Sequence, residues 1–319
     1  MPIQRTVSLL CAIALGFGSG GVQSAPTSDE QEPVPISVRT NLVDLQVSVT
    51  DRKDNFVDGL GKNNFHIFEE GREQDIGFFG RQDLPVAVGI VVDHSGSMGP
   101  KLVEVAAAAE AFAHSSNPQD ELFVVNFNET VSLTLPAPNP FTSNEQALRL
   151  ALREPWARGE TALYDAVIDA LDHLMLSQLQ RQALIVVTDG GDNASKHNLN
   201  QVLDLARTSR AQIYCIGIYD GEDPDANPGV LRKFGKLTGG EAYFPSSPTE
   251  VTEITRTIAL NLRKEYLLGF TPDDHKEGWR AIRVVASGTE KLKVHARAGY
   301  MLPGEGTTLG ASRPFQGQP

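Results

Sequence analysis

The stretch Val86-Ala87-Val88-Gly89-Ile90-Val91-Val92-Asp93-His94-Ser95-Gly96-Ser97-Met98-Gly99 changes character at a single residue. Up to Val92 it is apolar, with no polar residue at every second position. That pattern predicts a strand buried on both faces, hence the middle of a parallel sheet. Beyond it come an acid, two hydroxyls and two glycines, at the carboxyl end of the strand, where open α/β sheets place their ligands. Asp93, Ser95 and Ser97 form D-x-S-x-S, a compact set of hard oxygen donors suited to Mg²⁺ or Mn²⁺.

Two distant pieces accompany it. Gly159-Glu160-Thr161 precedes the helical pattern Ala162 to Leu176, and Ala183-Leu184-Ile185-Val186-Val187-Thr188-Asp189-Gly190 ends a second buried strand in an acid. Taken singly, Ser95, Ser97 and Thr161 also fit capping or turn hydroxyls, and Asp189-Gly190 fits a plain turn. The D-x-S-x-S spacing, the G-x-T and the later Asp, in that order, resemble the metal-ion-dependent adhesion site of von Willebrand factor type A (VWFA) domains. The resemblance implies that Ser95, Ser97 and Thr161 supply hydroxyl oxygens, and that Asp93 and Asp189 act directly or through water. One coordination position is then left for an Asp or Glu carboxylate of a partner protein. Glu160 stands where the family often has a second glycine and reads as a solvated side chain. His94 fills a variable position and reads as a non-ligand. Asp192 and the acidic run 220–225 read as solvated, with a second cation there as the alternative.

Around this centre the chain reads as six stretches. Residues 1–25 have the form of a secretory signal: Arg5, an apolar run from Val7 to Phe17, and Val22-Gln23-Ser24-Ala25 for cleavage. Cys11 follows Leu10, which argues against a lipoprotein cysteine. Residues 26–35 are polar and proline-rich and read as a disordered leader. From 36 to 82 the period falls to two, as in Val43-Asp44-Leu45-Gln46-Val47-Ser48-Val49-Thr50, and predicts a small antiparallel β unit. Between 83 and 265 strands alternate with helices, which predicts a doubly wound, mostly parallel, Rossmann-like sheet. Within it Val131 to Thr134 reads as an antiparallel edge strand. Strand patterns return over 266–302, and 303–319 reads as a disordered tail. Neither β fragment is large enough to stand alone, so the two are expected to pair into one antiparallel β-sandwich into which the α/β domain is inserted. Val57-Asp58-Gly59-Leu60, Phe68-Glu69-Glu70-Gly71, Tyr266 to Pro272 and Arg297-Ala298-Gly299-Tyr300 extend the resemblance to secreted bacterial VWFA-related proteins.

The 28 basic residues stand against 40 acidic ones, a formal charge of −12. A chain this acidic, with no basic stripe, is a poor partner for nucleic acid or anionic membranes. Past the signal no apolar run reaches the roughly 18 residues of a membrane span. Cys215 lies in an apolar run and reads as a buried thiol. Catalytic patterns are missing: Ser95 stands where a haloacid-dehalogenase-type phosphatase needs a second Asp, and neither G-x-S-x-G nor a phosphate or dinucleotide loop occurs. The expectation is a non-enzymatic, exported (secreted or periplasmic) binding or adhesion module with a Mg²⁺ or Mn²⁺ site. The alternative is a structural component of a surface or secretion assembly in which the metal only stabilises. A metal-dependent hydrolase is the remotest reading.

Overall fold

The computed structural model describes residues 42–302, apart from 82, 136–138, 153–156, 190, 220–225, 275 and 289–290. The signal, leader, tail, Gly190 and acidic-run readings lie outside the described residues. Four strands come first: β1 (Val43–Thr50), β2 (Phe65–Glu69), β3 (Arg72–Gln74) and β4 (Phe78–Gly80). The α/β region follows with β5 (Val86–Asp93), α1 (Leu102–Ser115), β6 (Glu121–Phe127), β7 (Val131–Leu133), α2 (Glu145–Ala151) and α3 (Leu163–Leu174). It continues with β8 (Arg181–Thr188), α4 (Leu199–Thr208), β9 (Gln212–Gly217), α5 (Pro228–Thr238), β10 (Ala242–Tyr243) and α6 (Pro248–Lys264). The chain then returns to strands: β11 (Tyr266–Phe270), β12 (Gly278–Ala286), β13 (Lys293–Ala296) and β14 (Gly299–Leu302).

The central sheet has the order β10-β9-β8-β5-β6-β7, with β7 antiparallel to β6 and every other pair parallel. Every residue of β5 is buried. Val86, Val88, Ile90 and Val92 pack with α1 and α6, while Ala87 and Val91 pack on the opposite face with α3. Two covered faces explain why the sequence of β5 never alternates. On α3, Leu163, Val167, Leu171 and Leu174 form the buried stripe that steps of three and four predict. Cys215 is buried among apolar side chains, as expected, and burial pushes its thiol pKa up.

The two β fragments do pair. One four-stranded sheet runs β13-β1-β11-β4 and the other β14-β12-β2-β3, and every pairing within them is antiparallel. Each sheet mixes strands from both sides of the α/β region, so neither fragment can complete a sheet alone. Leu45, Val47 and Val49 of β1 meet Phe65, Ile67, Tyr266, Phe270, Ile282 and Val284 in a single core. Tyr266 also stacks on Phe56 and donates its hydroxyl to the Val57 carbonyl at 2.9 Å. The polar face of β1 is not solvated along its length, because Ser48 and Thr50 are each only 1% exposed.

Three contacts hold the sandwich against the amino-terminal end of the central sheet. Arg297 donates Nη2 to the carbonyls of Arg207 and Ser209 at the end of α4, both at 3.1 Å. Ala298 donates its amide to Leu237 O at 3.0 Å. Gly239 caps α5 with φ +88°, and a Cβ there would lie 2.6 Å from the Arg297 nitrogen. Only glycine fits both the backbone angle and the approach.

Candidate functional site

Connection order fixes where a site can form. From β5 the chain moves one way to β6 and β7, then crosses back to β8 on the other side of β5. The carboxyl ends of β5 and β8 therefore flank the point where the winding reverses, and loops leaving them part to open a crevice. Asp93 ends β5, and Asp189 follows β8 directly.

Four of the five candidate donors are joined here. Asp93, fully buried, accepts the Ser95 amide on Oδ1 at 2.8 Å and the Thr188 hydroxyl on Oδ2 at 2.6 Å. The hydroxyls of Ser95 and Ser97 lie 3.2 Å apart. Ser97 donates to Asp189 Oδ2 at 2.5 Å. Ser95 and Asp189 are buried and Ser97 is exposed, so the cluster opens to solvent at Ser97. Ser95 stands at the head of a 3₁₀ segment, Gly96–Lys101, which contains Ser97 and runs straight into α1.

The fifth donor arrives through its backbone. The Gly96 amide donates to Gly159 O at 3.2 Å and the Arg158 amide to His94 O at 2.9 Å. Thr161 donates its amide to Asn193 Oδ1 at 2.8 Å and accepts the amides of Asn193 and Ala194 on its carbonyl. Thr161 is thus buried between the loop of Ser95 and the loop that follows Asp189. Among the described residues no hydrogen bond joins its hydroxyl to the other four. Gly159 makes the approach possible, with φ +80° and the Glu129 carboxylate lying where a Cβ would be.

Burial pushes the Asp93 carboxyl up to about 6; the Thr188 and Ser95 hydrogen bonds oppose that rise and the negative charge of Asp189 adds to it. Two buried carboxylates thus face each other with only hydroxyl and amide donors between them. That arrangement suits a divalent cation, and the donors are all hard oxygens. No cluster of three or more His, Cys, Asp and Glu side chains gathers among the described residues. The candidate set rests on two carboxylates and three hydroxyls.

His94, expected to be a non-ligand, is a structural anchor. It is buried, donates its amide to Phe127 O at 2.7 Å, and sets Nε2 3.2 Å from Asn126 Oδ1. Asn126 in turn donates to Ala151 O at 2.7 Å. Glu160 is exposed. Asp192 caps α3, accepting the Tyr164 amide at 3.1 Å and the Ser195 hydroxyl at 2.6 Å. Sequence reasoning passed over Thr188, Asn126 and Asn193. The lone polar residue inside Leu122-Phe123-Val124-Val125-Asn126-Phe127 was the available signal, since a buried amide needs partners.

The family profile described as the von Willebrand factor type A domain matches residues 88–257. The chain belongs to this family. A von Willebrand factor type A protein of Catenulispora acidiphila superposes with a TM-score of 0.50 at 15% identity, covering 75% of this chain and 72% of its own. The von Willebrand domain of the type V pili tip protein Mfa5 of Porphyromonas gingivalis gives a TM-score of 0.47 at 13% identity, over 57% of this chain and 97% of that one. An uncharacterized protein of Borreliella burgdorferi is 25% identical over 166 residues, which are 50% of this chain and 47% of that protein. The chain thus spans about half the length of the curated relative it matches.

Proposed function

We propose that this chain is an exported, non-catalytic adhesion module that binds a protein partner through a divalent cation, Mg²⁺ or Mn²⁺. Asp93, Ser95, Ser97, Thr161 and Asp189 would hold the ion. The observation that carries the reading is the continuous hydrogen-bonded chain Asp93–Ser95–Ser97–Asp189 at the reversal point of the sheet. Such an ion supplies Lewis acidity toward a partner's Asp or Glu carboxylate. Each residue has a task in this. Asp93 and Asp189 provide the negative charge that attracts a cation. Thr188 fixes the Asp93 carboxylate, the serine and threonine hydroxyls add neutral donors that leave net positive charge on the ion, and exposed Ser97 marks the side a partner reaches. Membership in a family whose domains mediate protein binding supports the reading, and the Arg5 to Ala25 pattern supports export.

Electron paramagnetic resonance of Mn²⁺ titrated into the full chain tests it. One bound Mn²⁺ is expected, lost in Asp189→Ala, with the relaxation of its water protons reduced when a glutamate-bearing peptide is added. Undiminished Mn²⁺ binding in Asp189→Ala would contradict the donor set. Unchanged relaxation with the peptide would contradict carboxylate recognition.

A further inference from the structure

The seam beneath the central sheet is lined by buried polar side chains. Antiparallel partners share a sheet face. Ser48 pairs with His295, and on its other side the β1–β11 register ends at Val47 with Tyr266, so that Glu265, one residue further, falls level with Ser48. These three side chains therefore point away from the sandwich core, toward the base of the α/β layer. Facing them are Arg181, which begins β8, and Gln212 and Tyr214 of β9, all on the α6 side of the sheet.

All six are polar, and the hydrogen-bond accounting fails to close. Among the described residues both Glu265 carboxylate oxygens, both Gln212 amide atoms, Arg181 Nε and Nη2, the Tyr214 hydroxyl and the Ser48 hydroxyl find no partner. Ser48, Glu265, Arg181, Gln212 and Tyr214 are each no more than 3% exposed. Arg181 does spend Nη1 on Leu262 O, at the end of α6, at 3.0 Å. Gln212 lies near enough to Glu265 to favour its charged form, yet no aligned hydrogen bond connects them. Burial without partners is costly for each such group, and a polar layer of this kind is stable when water enters it.

We propose that the seam is a hydrated, proton-linked joint, in which a proton taken up by Glu265 seats the sandwich firmly on the α/β layer and its loss loosens that seat. Glu265 occupies the joint itself, as the single residue between α6 and β11. Arg181 from β8 and Gln212 and Tyr214 from β9 interact with it, while Ser48 of β1 lies level with it in the strand register and the buried Asn261 lies one helical turn before it on α6. Across Tyr214, Glu241 lies 3.6 Å from His295 of β13. Burial outweighs the attraction of Arg181 and lifts the Glu265 carboxyl from 4.5 to about 7. The folded chain thus holds this proton more tightly than the unfolded chain. Its stabilising contribution is complete below about pH 4.5 and is lost as pH rises through about 7.

Glu265→Gln in the full chain tests the joint, with EDTA present throughout. Trp279 of β12 is the reporter, because the Arg207 guanidinium of α4 lies 5.7 Å from its ring centre across the junction. Trp156→Phe removes the second tryptophan of the chain. The wild-type emission is expected to titrate with a midpoint near neutrality, and the E265Q emission to stay flat. E265Q should unfold several degrees above wild type at about pH 8 and level with it at about pH 4. Comparison between the two proteins cancels the titration of every other group. Identical pH profiles would overturn the proposal. Amide exchange of the wild-type chain, corrected for intrinsic rates, gives a second reading that needs no variant. Faster exchange in β11 than in β5 on going from about pH 6 to 8 supports the joint, and equal change in both strands overturns it.

Discussion

The two ends of the central sheet handle buried charge in opposite ways. At the carboxyl end, Asp93 is fully buried, yet both its oxygens accept short hydrogen bonds and Asp189 accepts Ser97. At the amino end, Arg181, Gln212 and Glu265 are as deeply buried, and most of their polar atoms find no partner among the described residues. The first arrangement is pre-organised around a point in space and suits a small, highly charged ligand. The second is a loose polar layer between two covalently linked bodies, and suits adjustment. Polar groups are buried at both ends, but only the carboxyl end fixes their geometry.

The strongest perturbation should come at the amino end. Gly239→Val forces a branched side chain into a left-handed backbone and against the Ala296–Arg297 main chain. A loss of about 3 kcal/mol or more is expected from strain plus overpacking, read as a lower urea midpoint. Next comes Asp93→Asn without metal. Its folded pKa is raised from 3.8 to about 6, so the wild-type carboxyl costs stability as pH rises through that window and above it. Removing the charge should therefore raise metal-free stability at about pH 8 by about 3 kcal/mol, and change it little at about pH 4. Urea midpoints at the two pH values check the sign. Asn126→Ala breaks the link between His94 and Ala151 and should cost about 1–2 kcal/mol while lowering cation affinity, measurable by calorimetry with Mn²⁺. The smallest effect is expected from Arg207→Ala, which removes the guanidinium above Trp279. About 0.5–1 kcal/mol should be lost, with a shift in Trp279 emission and no change in cation binding.

The same contrast explains what the sequence let a reader see. The candidate donors lie in three contiguous motifs, each where a buried strand ends or a helix begins, and the resemblance to the VWFA site is what joined Asp93, Ser95, Ser97, Thr161 and Asp189 into one set. Strand and helix alternation over 83–265 made the doubly wound sheet legible, and too few strands on either side forced their pairing. The seam was invisible because its members are scattered over β1, β8, β9, α6, β13 and the α6–β11 junction, one or two residues from each. Ser48 looked like the solvated half of an alternating strand, and nothing local marks a face that another body will cover. Short elements also escaped notice. β3 has three residues, and α2 has seven, too few turns for a period to emerge, although Asn144 caps it by accepting the Ala147 amide. His94 and Asn126 show the same limit, since their value lies in contacts with each other and with distant backbone.

The most direct measurement is thermal unfolding of the full chain in EDTA, in Mg²⁺ and in Mn²⁺, beside Asp93→Ala. A ligand that binds only the folded state stabilises it by about 2.7 kcal/mol at a hundredfold excess over its Kd. The account predicts a cation-dependent rise in unfolding temperature for the wild type and none for Asp93→Ala. No rise at millimolar cation, or the same rise in both proteins, would contradict a metal site at the carboxyl end of the sheet.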